Sequence, residues 1–340
     1  MCTARSMAVT YEENRPICKY VHSTSRGHEA IQLATAFNLL PCDYVSPYYR
    51  DESILLGLGF KPYELMLQLL AKDGDLFTGG REYYSHPNYR GSDKPGIIHQ
   101  SSATGMQAIP TTGIAQGIQF LEKIQSAQLK KGPHGEPPVV VCSLGDASVT
   151  EGEVSEAFQF AALHQLPVIY LVQDNGWGIS VTSAEARTSN ANEMVKGFKG
   201  IKRISIDGSD FVQSYDVMKN VIEEVRRERY PFLVHARVPL LGHHTSGVRK
   251  EFYRTEEDLA RHGEDDPGPK LRKKLLELGV PEDHLEQIEK EAAQEVAHHF
   301  QGAVAAPEPD PATVENHVFV PTPVTEEMGE RSPAGKEKVL

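Results

Sequence analysis

The fold is decided by the stretch Val139-Val-Val-Cys-Ser-Leu-Gly-Asp146 and by a second one further along the chain, Pro167-Val-Ile-Tyr-Leu-Val-Gln-Asp-Asn-Gly176. Each contains a short apolar run rich in β-branched residues, which is typical of a strand buried on both faces of a parallel sheet. Between the two runs, Thr150-Glu-Gly-Glu153 has the spacing of a capping box and predicts the start of a helix. A strand, a helix and a strand in this order indicate a βαβ unit.

Both predicted strands end in residues whose side chains carry oxygen. Gly145-Asp146 follows the first strand and Asn175-Gly176 follows the second. Because the carboxyl ends of parallel strands meet at one edge of a sheet, an acidic and an amide oxygen are expected there, beside a helix N-terminus. Mg²⁺ with a phosphate-bearing partner favours such oxygen ligands. The pattern predicts a metal-bridged diphosphate site, although ordinary strand-end turns also favour glycine, aspartate and asparagine.

Helices and strands alternate through most of the chain. Besides the unit above, the apolar pattern predicts an amphipathic helix over 27–40, helices over 62–71, 111–129 and 212–228, and strands over 204–207 and 232–238. This alternation predicts an α/β fold with a doubly wound parallel sheet. Residues 73–103 are rich in Gly, His, Tyr and Ser without periodicity, and they predict a long ordered loop, which is typical of a functional segment.

The two ends of the chain differ in composition from its middle. Residues 1–20 lack an N-cap signal and are expected to be the end of a helix and a loop. After Tyr253 the sequence predicts one or two surface helices that end near Phe300. The Pro-, Glu- and Thr-rich end predicts an extended tail or linker. We therefore divide the chain into a domain of residues 1–302 and a tail of residues 303–340.

Composition and charge exclude several classes of protein. The 340 residues carry a net charge of −12 at pH 7, which argues against nucleic acid or an anionic membrane as the main partner. The four cysteines form no CxxC pair and no metal-ligand spacing, so we expect reduced thiols. The sequence has no run long enough to span a membrane and no signal-peptide pattern, which predicts a cytoplasmic protein.

Several motifs together resemble the α subunit of the E1 component of thiamine diphosphate-dependent 2-oxo acid dehydrogenases. Gly145-Asp146 and Asn175 resemble the thiamine diphosphate signature, and the segments 145–153, 156–162 and 167–180 are similar to that subunit. The resemblance implies that Asp146, the Asn175 side chain and the Trp177 carbonyl hold Mg²⁺ against the diphosphate, beside Gly145 and Ala147. Ala147 replaces the usual third glycine of the signature and Asp174 its first asparagine, and neither change removes a ligand.

The resemblance extends to other segments of the chain. In Tyr48-Tyr-Arg50 it implies that Arg50, and with it Tyr49, contacts the cofactor, as a planar guanidinium suits phosphate oxygens. In Ser102–Gln107 it implies contacts to the aminopyrimidine, which we place on Ser102 and Gly105. It also implies an assisting role for His86. For each segment an ordinary structural role is the alternative. The motif Val21–Ala30 is interpreted as structural.

Gly242-His-His-Thr-Ser246 resembles the loop of branched-chain 2-oxo acid dehydrogenases in which the second histidine faces the reactive carbon, so that role falls on His244. A neutral or switchable imidazole suits it. The alternatives are that the two adjacent histidines are simply solvated, or that they bind zinc, although no third Cys, His or acidic ligand has a helpful spacing. Leu240 and Val248 replace an arginine and an aspartate of the family pattern. Arg249 is a candidate to compensate for the lost phosphate or loop-ordering contacts.

The resemblance also implies an activity and partners. The activity is oxidative decarboxylation of a 2-oxo acid, branched-chain acids being favoured over pyruvate, with transfer of the acyl group to a lipoyl-bearing E2 acyltransferase. In heteromeric relatives a glutamate of the β subunit completes the site, so an α2β2 assembly is expected, with the β half separate or fused downstream of the joint-like Gly335–Leu340. The alternatives are a non-catalytic paralogue and a nicotinamide dehydrogenase, but no GxGxxG fingerprint follows a strand.

Overall fold

The computed structural model describes residues 1–98 and 101–316. Met1–Pro309 forms one compact unit, and the described residues that follow it, 310–316, belong to a second unit. Of the second unit, the described part contains a short 3₁₀ helix, Pro311–Thr313, which Asp310 caps by accepting a hydrogen bond from the Ala312 N–H. The division into residues 1–302 and a tail stays a prediction, and the joint-like segment 335–340 lies outside the described residues.

A parallel sheet forms the centre of the first unit. Its described strands are β1 (Tyr44–Ser46), β2 (Gly96–Ile97), β3 (Val140–Gly145), β4 (Val168–Asp174), β7 (Lys202–Asp207) and β8 (Phe232–Arg237), and a separate antiparallel hairpin joins β5 (Trp177–Gly178) to β6 (Val181–Thr182). The order across the sheet is β2-β1-β3-β4-β8-β7, and every neighbouring pair is parallel. The predicted parallel α/β fold is confirmed.

Helices cover both faces of this sheet. They are α1 (Cys2–Glu13), α2 (Glu29–Ala36), α3 (Glu52–Gly57), α4 (Pro62–Leu69), α5 (Ala108–Lys123), α6 (Gly152–His164), α7 (Ser183–Ala186), α8 (Ala191–Met194), α9 (Phe211–Glu228), α10 (Glu256–Glu264), α11 (Pro267–Glu277) and α12 (Glu282–Ala305). Val141 and Ile169 point into the core on one face, whereas Val140 and Val168 point into the core on the other. Two buried faces explain why these strands are continuous apolar runs.

Several local predictions are wrong. Thr150 does not cap α6: it ends a 3₁₀ helix, Ala147–Thr150, and donates its hydroxyl to the Ala147 carbonyl, while Glu151 takes the N-cap position. Helix α2 is not amphipathic, because all of its residues are buried. Three helices instead of one or two follow Tyr253, and the third, α12, buries Val296 against α1 and α4. Strands β1 and β2 were not expected.

No helix within residues 1–98 and 101–316 is both long and apolar enough to cross a lipid bilayer.

Candidate active site

A cavity of about 560 Å³ opens at the carboxyl ends of β3 and β4. Every residue for which the sequence suggested a cofactor, metal or catalytic role lines it: Tyr49, Arg50, His86, Ser102, Gly105, Gly145, Asp146, Ala147, Asn175, Trp177 and His244. The volume lies in the range of roughly 300–1,000 Å³ that is usual for small-molecule sites. The structure thus brings distant parts of the chain to one concave site.

Asp146 lies just beyond the last residue of β3, where the chain turns into a 3₁₀ helix, and is almost fully buried. Its Oδ2 accepts a hydrogen bond from Arg187 Nη2 at 2.7 Å, and the same nitrogen lies 3.4 Å from Asp174 Oδ1. Burial and the neighbouring Asp174 raise the pKa of Asp146 to about 7, although Arg187 opposes the shift. Arg187 therefore bridges two carboxylates that would otherwise repel each other.

Asp174 is the residue that replaces asparagine in the signature, and it brings a second carboxylate to this edge of the sheet. Its Oδ2 lies 2.9 Å from His235 Nε2. Burial alone would raise the pKa of Asp174, but His235 and Arg187 outweigh burial, so the pKa lies below its ordinary value. Sequence reasoning missed Arg187, which follows the one-turn helix α7 and reaches the strand ends only because the β5–β6 hairpin folds back.

Asn175 and Trp177 belong to the turn that leads from β4 into the β5–β6 hairpin. The Trp177 N–H donates to Asn175 Oδ1 at 3.0 Å, and Gly176 between them has a φ of 79°, a conformation that favours glycine. A Cβ atom added to Gly178 would lie 3.0 Å from the Ala147 Cβ. The methyl group that replaces the third glycine of the signature therefore occupies space left by Gly178.

Behind this turn, a network of buried polar side chains supports Asn175. The network consists of Asp51, Gln173, His28 and Gln32, with Ser143 at its edge. It joins α2, the N-cap of α3, and β3 and β4. His28 lies in the motif that was interpreted as structural, and no residue near it in the sequence indicates its contact with Asn175.

Arg50 connects the diphosphate side of the cavity to the histidine loop. Its Nη2 donates to the His244 carbonyl at 3.1 Å and its Nη1 to the His243 carbonyl at 3.4 Å. The guanidinium also lies 5.4 Å from the centre of the Tyr49 ring. Its Nε is buried without a hydrogen-bond partner among the described residues. This orphaned donor, on a side chain that is 1% exposed, fits an anionic group that enters the cavity.

His244 is held by its main chain, because its carbonyl accepts from Arg50 and from the Ser23 hydroxyl. Burial and the charge of Arg50 lower the pKa of the imidazole to about 3. The ring is therefore neutral at pH 7, and of the two expected forms the switchable one is not supported. Its Nδ1 is buried and has no partner among the described residues.

His86 and Ser102 lie together, although the two residues belong to different parts of the long loop. His86 Nε2 is 3.1 Å from the Ser102 hydroxyl, and His86 Nδ1 is 2.9 Å from the Tyr84 carbonyl. Ser85 has a φ of 61°, an uncommon conformation for a residue with a side chain. Gly105 has a φ of 89°, and an added Cβ would lie 3.1 Å from Glu151.

Leu240 and Val248, the two departures near the histidine loop, lie outside the cavity lining. Leu240 is buried, and its main chain is bonded to His262 and Arg254. Arg254 also lies 5.5 Å from the centre of the Trp177 ring. Val248 does not line the cavity either. Arg249 pairs with Glu12 of α1 at 2.7 Å, which fixes the loop from outside and brings no charge into the cavity.

The donor set suits a hard cation that shares its ligands with a diphosphate. Asp146 Oδ1 accepts no hydrogen bond from the described residues, and Asn175 presents an amide oxygen beside it in the cavity lining. Across the part of the chain that the structure describes, no group of three or more His, Cys, Asp or Glu side chains could hold a metal ion, so a zinc site has no ligand set. Mg²⁺ usually takes only one or two protein carboxylates beside phosphate oxygens and water.

Comparison with known proteins identifies one family for most of the chain. Residues 3–312 match the family described as Dehydrogenase E1 component. The 2-oxoisovalerate dehydrogenase subunit alpha of Bacillus subtilis (strain 168) is 30% identical over 264 residues, which cover 77% of this chain and 75% of that protein. The 3-methyl-2-oxobutanoate dehydrogenase subunit alpha of Mycobacterium tuberculosis (strain ATCC 25618 / H37Rv) is 28% identical over 286 residues, 84% of this chain and 70% of that protein. The mitochondrial 2-oxoisovalerate dehydrogenase subunit alpha of Homo sapiens is 27% identical over 319 residues, 93% of this chain and 67% of that protein.

Proposed function

This chain belongs to the dehydrogenase E1 component family, as a relative of the α subunits of branched-chain 2-oxo acid dehydrogenases, and from this premise we propose a function. The chain is the α subunit of an E1 that oxidatively decarboxylates a 2-oxo acid, with thiamine diphosphate and Mg²⁺, and passes the acyl group to a lipoyl-bearing E2. The observation that supports the proposal best is the common cavity of Asp146, Asn175, Arg50 and His244.

Each group of residues that lines the cavity has a task in this proposal. Bound thiamine diphosphate supplies the electron sink for the loss of carbon dioxide from the 2-oxo acid. Asp146 Oδ1, Asn175 Oδ1 and the Trp177 carbonyl would hold Mg²⁺, and the Arg50 guanidinium would neutralise charge on the diphosphate. His86, with Ser102, and the main chain at Gly105 would hold the aminopyrimidine. The neutral imidazole of His244 would manage charge on the substrate or on the lipoyl sulfur through its ring N–H.

The partners and the substrate are proposed from the relatives. Their names describe α subunits of 2-oxoisovalerate or 3-methyl-2-oxobutanoate dehydrogenases, so we propose a branched-chain substrate and an α2β2 assembly whose β subunit, separate or fused, supplies the glutamate that protonates the pyrimidine. The isolated chain is then expected to bind cofactor weakly and to turn over no substrate. A cytoplasmic location also stays a prediction, because the human relative is named as mitochondrial.

Calorimetric titration of thiamine diphosphate tests the proposal. The titration is made into the chain with and without a β subunit, in the presence and absence of Mg²⁺. We expect binding that needs Mg²⁺ and the β subunit, and that Asp146→Ala abolishes. Asp207→Ala is the matched control, because Asp207 also ends a strand of the same sheet but does not line the cavity. Its binding should equal that of the unaltered chain.

The possible results separate the alternatives. Absence of binding in every format would favour a non-catalytic paralogue. Decarboxylation by the isolated chain would contradict the proposed need for a β subunit. With the complete enzyme, a higher kcat/KM for pyruvate than for 3-methyl-2-oxobutanoate would overturn the branched-chain assignment.

A further inference from the structure

One chain of buried hydrogen bonds ends at Asn175, the predicted metal ligand. It begins at Asp51, whose Oδ1 accepts from Gln173 Nε2 at 2.7 Å. Gln173 Oε1 lies 2.9 Å from His28 Nδ1, and His28 Nε2 lies 3.3 Å from Asn175 Nδ2. His28 and Gln173 are completely buried, and Asn175 is 6% exposed. Solvent therefore has little access to these groups.

The donors and acceptors in this row of hydrogen bonds can be assigned from Asp51 outward. The Asp51 carboxylate accepts the backbone N–H of Tyr48 at Oδ2. Its Oδ1 accepts two side-chain amides, those of Gln32 and Gln173. Gln173 therefore directs its amino group to Asp51 and to the Ser143 hydroxyl, and its carbonyl oxygen to His28. Gln32 Nε2 also donates to that oxygen, at 2.9 Å. An oxygen in this position accepts, so His28 Nδ1 carries the ring proton.

The tautomer of His28 determines the orientation of Asn175. With the ring proton on Nδ1, which faces Gln173 Oε1, Nε2 faces the Asn175 amide as an acceptor. The Asn175 amino group must then point to His28, because its carbonyl oxygen would face a lone pair. The Trp177 N–H, which donates to Asn175 Oδ1, fixes the same orientation independently.

We propose that His28 is a positioning residue that keeps the side-chain oxygen of Asn175 turned away from the sheet and toward the predicted Mg²⁺ position. The inference rests on the proposed function, since it concerns a ligand of the proposed metal. His28 itself does not contact the metal or the substrate. Without its acceptor, the Asn175 amide would rotate more freely, and the metal would bind an oxygen that is correctly placed only part of the time.

Two substitutions of His28, each of which mimics the position of one ring nitrogen, can test this. A glutamine places an acceptor near the position of Nε2, whereas an asparagine reaches only the position of Nδ1. We therefore expect H28N to raise the Kd of Mg²⁺, measured with thiamine diphosphate present, by about tenfold or more, as is usual when the partner of a metal ligand is removed. H28Q should raise it by no more than about threefold. His299→Gln, in α12 and outside the cavity lining, is the control and should leave the Kd unchanged.

The readout is independent of turnover. Calorimetric titration of Mg²⁺ measures binding. The emission of Trp177, the single tryptophan of this chain, gives a second readout after the emission of the β subunit is subtracted, because the Trp177 backbone N–H donates to Asn175 Oδ1. The titration uses the full chain with a β subunit, and thermal melting is recorded for each variant. Should H28N fail to fold, H28Q decides alone: a folded H28Q with more than about tenfold weaker Mg²⁺ binding would overturn the proposal.

The other possible outcomes also support or overturn the proposed role of His28. Equal losses of affinity in H28N and H28Q, in step with equal losses of melting temperature, would show that His28 serves only packing. If the unaltered protein binds Mg²⁺ and thiamine diphosphate but H28N binds them equally well, the inference fails and the proposed function stands. If the unaltered protein binds neither, the proposed function fails, and this inference with it.

Discussion

The two walls of the cavity are built in different ways. The strand-end wall is lined by Asp146 and Asn175 and backed by Arg187, and it is held by side chains that are themselves buried and hydrogen-bonded across β3, β4 and α2. The loop wall, lined by His244 and Thr245, is partly exposed and is fixed chiefly through main-chain carbonyls that accept from Arg50 and Ser23. The first wall keeps its side chains in place, whereas the second keeps its backbone in place and leaves the His244 imidazole without a partner at Nδ1 among the described residues.

This difference matches the tasks that we propose for the walls. A metal ligand must be in place before the metal arrives, so its orientation is set by buried partners. A group that manages charge on a substrate needs a nitrogen that no protein group occupies, and burial keeps the His244 ring neutral. We therefore expect the strand-end wall to be the more rigid and the more costly to disturb.

The largest effect is expected when Arg187 is replaced. Arg187→Met would leave Asp146 and Asp174 buried side by side without their common cation. Loss of one partner of a buried ion pair typically costs about 3–5 kcal/mol of unfolding free energy. Urea unfolding of the purified chain measures it. Arg261→Met, which breaks an ion pair of a mostly exposed arginine, is the control and should cost about 0–1 kcal/mol. A loss from R187M within the range of the control would show that the strand-end wall does not depend on this bridge.

A smaller effect on the same wall is expected at Gly178. Its backbone conformation permits alanine, but the new Cβ would lie 3.0 Å from that of Ala147. Overpacking of this kind typically costs about 1–3 kcal/mol. Because the clash is with one methyl group, the double variant A147G/G178A should recover most of the loss, and a double-mutant cycle from denaturant unfolding measures the recovery. Strictly additive losses would mean that the two positions do not share this space.

On the loop wall, we expect binding to change more than stability. Arg50→Lys keeps a positive charge but loses the planar fork that reaches the carbonyls of His243 and His244. The affinity for thiamine diphosphate should fall about tenfold, and amide hydrogen exchange should accelerate in residues 243–248. Arg226→Lys, which replaces a buried arginine paired with Asp43 outside the cavity, is the matched control for binding. Unchanged exchange in R50K would show that Arg50 does not hold the loop.

Sequence reasoning located the strand ends well because their signal is local. An apolar strand that ends in Gly145-Asp146 or Asp174-Asn175 places those side chains at the sheet edge wherever the helices pack. The same reasoning failed for α2. Its Glu29, Gln32 and Thr35 have the spacing of a solvent-facing stripe, but α3 and α9 cover them. Gln32 instead bonds Asp51 and Gln173, partners that are distant in the chain.

The remaining errors have similar physical reasons. Strand β1 has three residues, too few to show an alternation. The contact of Arg187 with Asp146 depends on the β5–β6 hairpin, and no residue near Arg187 in the sequence indicates that contact. Thr150 has the right spacing for a capping box, but the preceding 3₁₀ helix uses its hydroxyl. Local patterns predicted which elements form, whereas the orientation of each polar side chain depends on residues from several elements.

The smallest effect is expected on the outer side of the loop wall. Arg249 binds Glu12 of α1 at 2.7 Å, but both side chains are partly exposed to water. Solvent screens such pairs, and holding two long side chains in one arrangement costs entropy, so Arg249→Ala should change the unfolding free energy by only about 0–1 kcal/mol. The change should shrink further in 1 M salt, where the Debye length is about 3 Å. A loss above about 2 kcal/mol, insensitive to salt, would mean that Arg249 supports the loop by packing and that the loop wall is as firmly built as the strand-end wall.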